Sequence, residues 1–174
     1  RSVFRGKWYQ RIFQINFETR TLRIALPKNS GINIEAASGN GSISVSELSL
    51  GTLSLNSDNG KISLKNIICR SSYLKSSNGR ITLEGVRTVN GGNITAAPAN
   101  GKPSLKDISS NSVSAKASNG SVELLRVDAP TIELRSANGA VIGSVCRDMK
   151  EYYIKSSAEN GKNNLPKSQS GANR

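Results

Sequence analysis

An Asn-Gly pair returns along this chain at Asn40-Gly41, Asn59-Gly60, Asn78-Gly79, Asn100-Gly101, Asn119-Gly120, Asn138-Gly139 and Asn160-Gly161, at intervals of 19, 19, 22, 19, 19 and 22 residues. A dipeptide that regular in 174 residues means that one supersecondary unit has been laid down about seven times. Such a repeat encodes a scaffold and by itself names no chemistry.

With each Asn as position zero, apolar residues fall into columns. Plus three carries Ile43, Ile62, Ile81, Pro103, Val122 and Val141, and plus five carries Val45, Leu64, Leu83, Leu105 and Leu124. Plus eight carries Leu48, Ile67, Val86, Ile108, Val127 and Cys146. On the other side, minus six carries Ile34, Leu53, Ser72, Ile94, Val113, Ile132 and Ile154, minus four carries Ala36, Leu55, Leu74, Ala96, Ala115 and Leu134, and minus two is small throughout. Spacing by two is the strand period, because successive side chains point to opposite faces. Each unit therefore reads strand, Asn-Gly corner, strand. Asn and Gly are expected at the corner because both tolerate positive φ.

Two arrangements use such units. A meander would make each Asn-Gly a tight hairpin turn between antiparallel strands. A solenoid would make each unit one coil, with equivalent residues stacked about 4.8 Å apart in parallel sheets. Near-identical residues at every phase favour the solenoid, since stacking selects like on like. The expected fold is all-β: a single-domain parallel β-solenoid of about seven coils. Residues 1–30 form an aromatic-rich N-terminal β cap, 31–166 the repeat, and 167–174 a polar tail expected to fray. The cap reading rests on Phe4, Trp8, Tyr9, Phe13 and Phe17, with strands expected near Arg11–Phe17 and Thr21–Leu26 to shield the first coil's open edge.

Composition bears on partners. There are 24 Lys and Arg against 12 Asp and Glu, a net charge of +12, which favours anionic partners. Stacking would align Lys61, Arg80 and Lys102 at plus two, and Lys75, Lys116 and Arg135 in a broken column at minus three. These six form the candidate anion-binding stripe, weighed against a merely solvated face. Cys69 and Cys146 fall four coils apart, roughly 19 Å at the strand spacing, too far for a disulfide; free thiols in inward or corner positions are expected. No run of 18 apolar residues is present, so no transmembrane segment is expected here. The chain begins with Arg, which suggests that an upstream signal or anchor has been trimmed.

Chemistry is sparse. The absence of His removes the usual general base and the commonest metal ligand. A β-helical polysaccharide-cleaving enzyme could run on carboxylates, but these would have to converge. Glu84 and Asp107 instead sit out of phase beside Lys65 and Lys106, which points to ion pairing. The reading is non-enzymatic, with no cofactor and no metal. Nucleic acid is disfavoured, because the repeat offers no row of aromatic residues.

The repeated form Ser-x-Asn-Gly-x-Ile-x-Leu, seen in Ser57–Leu64 and Ser76–Leu83, resembles a bacterial adhesin-like family of β-strand-repeat domains of unknown function. Leu26-Pro27 before the first unit, and Asn160-Gly161-Lys162 with Leu165-Pro166 at the end, extend the likeness over roughly residues 22 to 166. The resemblance implies a parallel β-solenoid in the envelope of a bacterium or outside the cell. The function expected is a scaffold or interaction surface for an anionic envelope polymer, a lipid surface or an envelope protein. A carbohydrate-active enzyme and a sensory envelope domain are the competing readings.

Overall fold

The computed structural model describes residues 16–17 and 24–171; of 16–17 only the backbone is described. Among the described residues, fifteen strands run in chain order. They are β1 (Asn16–Phe17), β2 (Ile34–Ser38), β3 (Ile43–Ser46), β4 (Thr52–Ser57), β5 (Ile62–Cys69), β6 (Ser71–Ser76), β7 (Ile81–Thr88) and β8 (Asn93–Pro98). Then follow β9 (Pro103–Ser109), β10 (Ser112–Ala117), β11 (Val122–Asp128), β12 (Thr131–Ser136), β13 (Val141–Val145), β14 (Tyr153–Ala158) and β15 (Ser168–Gln169). The only helical element among the described residues is a 3₁₀ turn at Met149–Glu151.

The strands sort into two sheets. The even-numbered strands β2 to β14, flanked by β1 and β15, form one sheet of nine; β3 to β13 in odd steps form a second sheet of six. Every neighbouring pair is parallel except β14 with β15. Ile62 pairs with Ile81 and Ile81 with Pro103, while Leu55 pairs with Leu74 and Leu74 with Ala96. The chain is thus a β-solenoid in which matching positions lie over one another, and the meander is excluded.

The core lies between the sheets. Leu53, Leu55, Ile62, Leu64, Ile67, Leu74, Ile81, Leu83, Ile94 and Leu105 are fully buried. Each such side chain contributes about 1.5–3 kcal/mol relative to leaving it in water. The jump of the apolar columns from plus five to plus eight has a local cause. Glu47, Asn66, Gly85, Asp107 and Arg126, all at plus seven, hold φ between 52 and 64°. That bend exposes two consecutive residues in β5, after which Ile67 and Cys69 again face inward. β5, β7, β9 and β11 therefore turn partway along their length, and in β3 the bend follows directly after Ser46.

The Asn-Gly corners are built differently from the expectation. None of their fourteen residues has positive φ. Glycine is needed there because the coils approach closely. A Cβ on Gly60, Gly79, Gly101, Gly120, Gly139 or Gly161 would come within 3.0 Å of the backbone of the glycine one coil earlier. Asparagine is needed because the side chains form a ladder. Each Nδ2 donates to the Oδ1 one coil earlier: Asn59 to Asn40 at 2.8 Å, Asn78 to Asn59 at 2.7 Å, and Asn100 to Asn78 at 2.8 Å. It continues with Asn119, Asn138 and Asn160 at 2.7, 2.7 and 2.8 Å. The small minus-two column also has a role here, as Ser38, Ser57 and Ser76 accept from the glycine N–H at 2.9, 2.9 and 2.8 Å.

The two 22-residue intervals are absorbed outside the sheets. In the first, Asn90 and Gly91 turn with φ of 56 and 70°. In the second, Asp148 caps the 3₁₀ turn and Tyr152 is buried beneath it. Within the polar tail, expected to fray, Ser168–Gln169 instead form β15, which pairs antiparallel with β14; residues 172–174 lie outside the described residues. Asn163, standing where an apolar residue is usual, bonds Ser156 at 2.9 Å, and Leu165 closes the core beside it. A closing strand of opposite direction covers the edge that a further coil would otherwise need.

At the other end, β1 joins β2 in register, Asn16 with Ala37 and Phe17 with Ser38. Residues 24–26 carry no strand. The rest of the expected cap, Arg11–Ile15 and Thr21–Arg23 with the aromatics before them, lies outside the described residues.

Candidate functional site

The register brings the stripe together as two files flanking the asparagine ladder. Lys61, Arg80 and Lys102 immediately precede Ile62, Ile81 and Pro103, which pair in sequence across β5, β7 and β9. Lys116 and Arg135 are direct partners, whereas Lys75 lies between Asn56 and Ala97. Both files stand on outward-facing positions beside the corner. All six side chains are exposed except Lys102, which is partly covered.

Ion pairs divide the six. Lys102 pairs with Glu123, Lys116 with Glu133 at 3.0 Å, and Arg135 with Glu159 at 2.7 Å. Each partner comes from the following coil. Lys61, Lys75 and Arg80 make no ion pair among the described residues. Among these six, the unpaired charges therefore fall in coils two and three, those of Asn59 and Asn78, even with Asp58 at the same corner; Lys162, at the same plus-two phase of the last coil, is unpaired among the described residues as well. Within a Debye length of about 8 Å, such charges act on an approaching anion together.

The remaining carboxylates are held by neighbours. Lys106 donates to Glu84 at 2.8 Å, and that bond, with the lysine's charge, holds the Glu84 carboxyl below the usual range. Arg126 grips Asp107 with two bonds at 2.6 and 2.7 Å, which lowers the Asp107 carboxyl and raises the guanidinium. Glu84 thus pairs with Lys106, as the sequence suggested, whereas the partner of Asp107 is Arg126 of the following coil and neither Lys65 nor Lys106. Arg147 ties Asp128 to Glu151 and lies 5.6 Å from the centre of the Tyr152 ring, pinning the second long connection. No group of three His, Cys, Asp or Glu among the described residues is arranged to hold a metal.

The cysteines are both free. Cys69 is buried at the end of β5, and burial pushes its thiol up to about 11. Cys146 is exposed, contrary to the expected inward or corner position. The cause is its place at the end of the stack: β13 stops at Val145, and no described strand follows it in that sheet.

One surface residue escaped the column reading. Tyr73, on the outer face of β6, is 63% exposed. Its column otherwise holds Ser, Thr, Glu and Lys, so a search for repeated residues passes over it; the signal was a lone aromatic at a strand's polar phase. No helix among the described residues is long and apolar enough to cross a membrane.

The family model described as Toastrack DUF4097 matches residues 3–167. No curated protein and no solved structure matches the chain.

Proposed function

The chain belongs to the Toastrack DUF4097 family, and we propose that it serves as a non-enzymatic solenoid scaffold at the bacterial envelope or cell surface, where it holds an anionic polymer. The observation that carries the reading is the sorting of charge. Acidic partners neutralise Lys102, Lys116 and Arg135, while Lys61, Lys75 and Arg80 stay unpaired in two adjacent coils. Within the stripe, the three cations without a carboxylate partner thus stand on neighbouring coils, where one anionic chain can meet them together. The stacked backbone also fixes these side chains' roots on neighbouring strands, so little backbone entropy is lost on engaging a repeating anion. Envelope placement is supported by the resemblance of the repeat to adhesin-like domains.

Inorganic polyphosphate is the probe for the charge reading. The wild-type chain should bind it at about 50 mM salt and lose roughly tenfold or more in affinity by about 200 mM, as expected for release of counterions from about three contacts. Reversing Lys61, Lys75 and Arg80 to Glu should abolish binding, and reversing Lys102, Lys116 and Arg135 should weaken it less. Equal effects from the two triple variants, or binding indifferent to salt, would remove the proposal.

A further inference from the structure

We propose that coils two and three carry a subsite for a carboxylate-bearing sugar residue, with Tyr73 as the platform for the sugar ring and Lys75 as the partner of its carboxylate. The inference rests on the polyanion reading above and narrows it to a substrate class and a place.

Tyr73 and Lys75 project from the same face of β6, separated by Leu74, which is buried in the core. Register sets Ser54 and Asn56 of β4 beside them on one side, and Thr95 and Ala97 of β8 on the other. The ring is thus flanked by short side chains on the neighbouring strands, and these carry hydroxyl and amide groups. That combination suits a saccharide: the tyrosine offers an apolar body with a polar tip, and nearby hydroxyls and amides meet sugar hydroxyls. An ammonium with no carboxylate of its own, two residues along the same strand, supplies the complement for an acid on the sugar.

Two features argue against a nucleic acid in the same place. The positions stacked on Tyr73 are Ser54 and Thr95, so no second ring lies on the adjacent coil to receive a second base. The other exposed tyrosine of this sheet, Tyr153, stands at a different phase on β14. The geometry therefore provides for one ring of a chain, with Arg80 and Lys61 past the corner in reach of further charges on it.

Polygalacturonate is the probe, with neutral dextran as the uncharged sugar and polyphosphate as the charged polymer without sugar. Affinity electrophoresis of the full chain should show retardation by polygalacturonate and none by dextran. Tyr73→Ala should weaken polygalacturonate roughly tenfold, the scale of one aromatic contact, and leave polyphosphate unchanged. Lys75→Ala should weaken both, and Tyr153→Ala neither. Circular dichroism checks that each variant folds; the high exposure of Tyr73 makes loss of fold by its truncation unexpected. Unchanged polygalacturonate binding by Tyr73→Ala, or an equal loss for polyphosphate, overturns the subsite while leaving the charge reading in place. A wild-type chain that binds neither polymer overturns both.

Discussion

Replacing Gly79 by alanine separates two explanations of the Asn-Gly corner. If glycine were there for positive φ, the cost would be that of forcing an L-residue into the left-handed region, about 1–2 kcal/mol. The structure gives Gly79 no such φ, and instead places its missing Cβ against the carbonyl oxygen and carbon of Gly60. Backbone cannot swing aside as a long side chain can, so the coils must separate. The bonds at risk are Asn78 N–H to Asp58 at 2.7 Å, Ser77 N–H to Ser57 at 3.0 Å, and Ile62 N–H to Arg80 at 2.9 Å. The ladder bond from Asn78 to Asn59 is strained with them. Losing two or three at about 1 kcal/mol each, with an overpacking term of about 1–3 kcal/mol, gives a cost of about 3–6 kcal/mol. That is a large share of a stability of about 5–15 kcal/mol.

Gly91→Ala is the matched control, since Gly91 has φ of 70° and open space around its Cβ. Its cost should be only about 1–2 kcal/mol. Urea unfolding followed by circular dichroism reads both. A smaller loss for Gly79→Ala than for Gly91→Ala would refute the close-approach argument.

The ladder and the thiols give further expectations. Asn59, Asn78, Asn100, Asn119 and Asn138 each donate and accept in the ladder, whereas Asn40 makes only its accepting bond and Asn160 only its donating one. Deamidation at mildly alkaline pH, followed by peptide mass spectrometry, should begin at Asn40 or Asn160; early loss at an interior asparagine would contradict the ladder. Asn100→Ala removes two ladder bonds at an exposed corner and should lower stability by about 1 kcal/mol, read by the same urea unfolding. Native protein treated with iodoacetamide near pH 8 should take one label, at Cys146, because Cys69 is buried with its thiol raised to about 11; rapid double labelling would contradict this. The raised thiol also signs a pH effect. Its stabilising contribution is complete below the ordinary value of 9.0 and is lost as pH climbs towards about 11.

The fold was largely legible because a stack repeats its letters. Ile62, Ile81 and Val122 announce one inward file, and the Asn-Gly pairs announce the corner. What sequence could not give was which atoms meet at the corner, and the role of Gly60 or Gly79 lies in that backbone contact. The plus-seven bend was hidden for another reason. Glu47, Asn66, Gly85, Asp107 and Arg126 share a backbone conformation without sharing a side chain, and only the three-residue gap between two apolar columns marked it. The candidate stripe was legible as columns but not as charge. Lys102 meets Glu123 from a different phase of the next coil, and Arg135 meets Glu159 likewise. Reading each phase alone therefore overcounted the unpaired cations. Overlaying adjacent coils shows these pairings.

All of this depends on parallel, in-register stacking, which trans-hydrogen-bond scalar couplings in isotope-labelled protein would test most directly. The expected correlations join the Ile62 amide nitrogen to the Arg80 carbonyl and the Asn78 amide nitrogen to the Asp58 carbonyl. Couplings that instead pair residues symmetrically about each Asn-Gly, as hairpins require, would contradict the account.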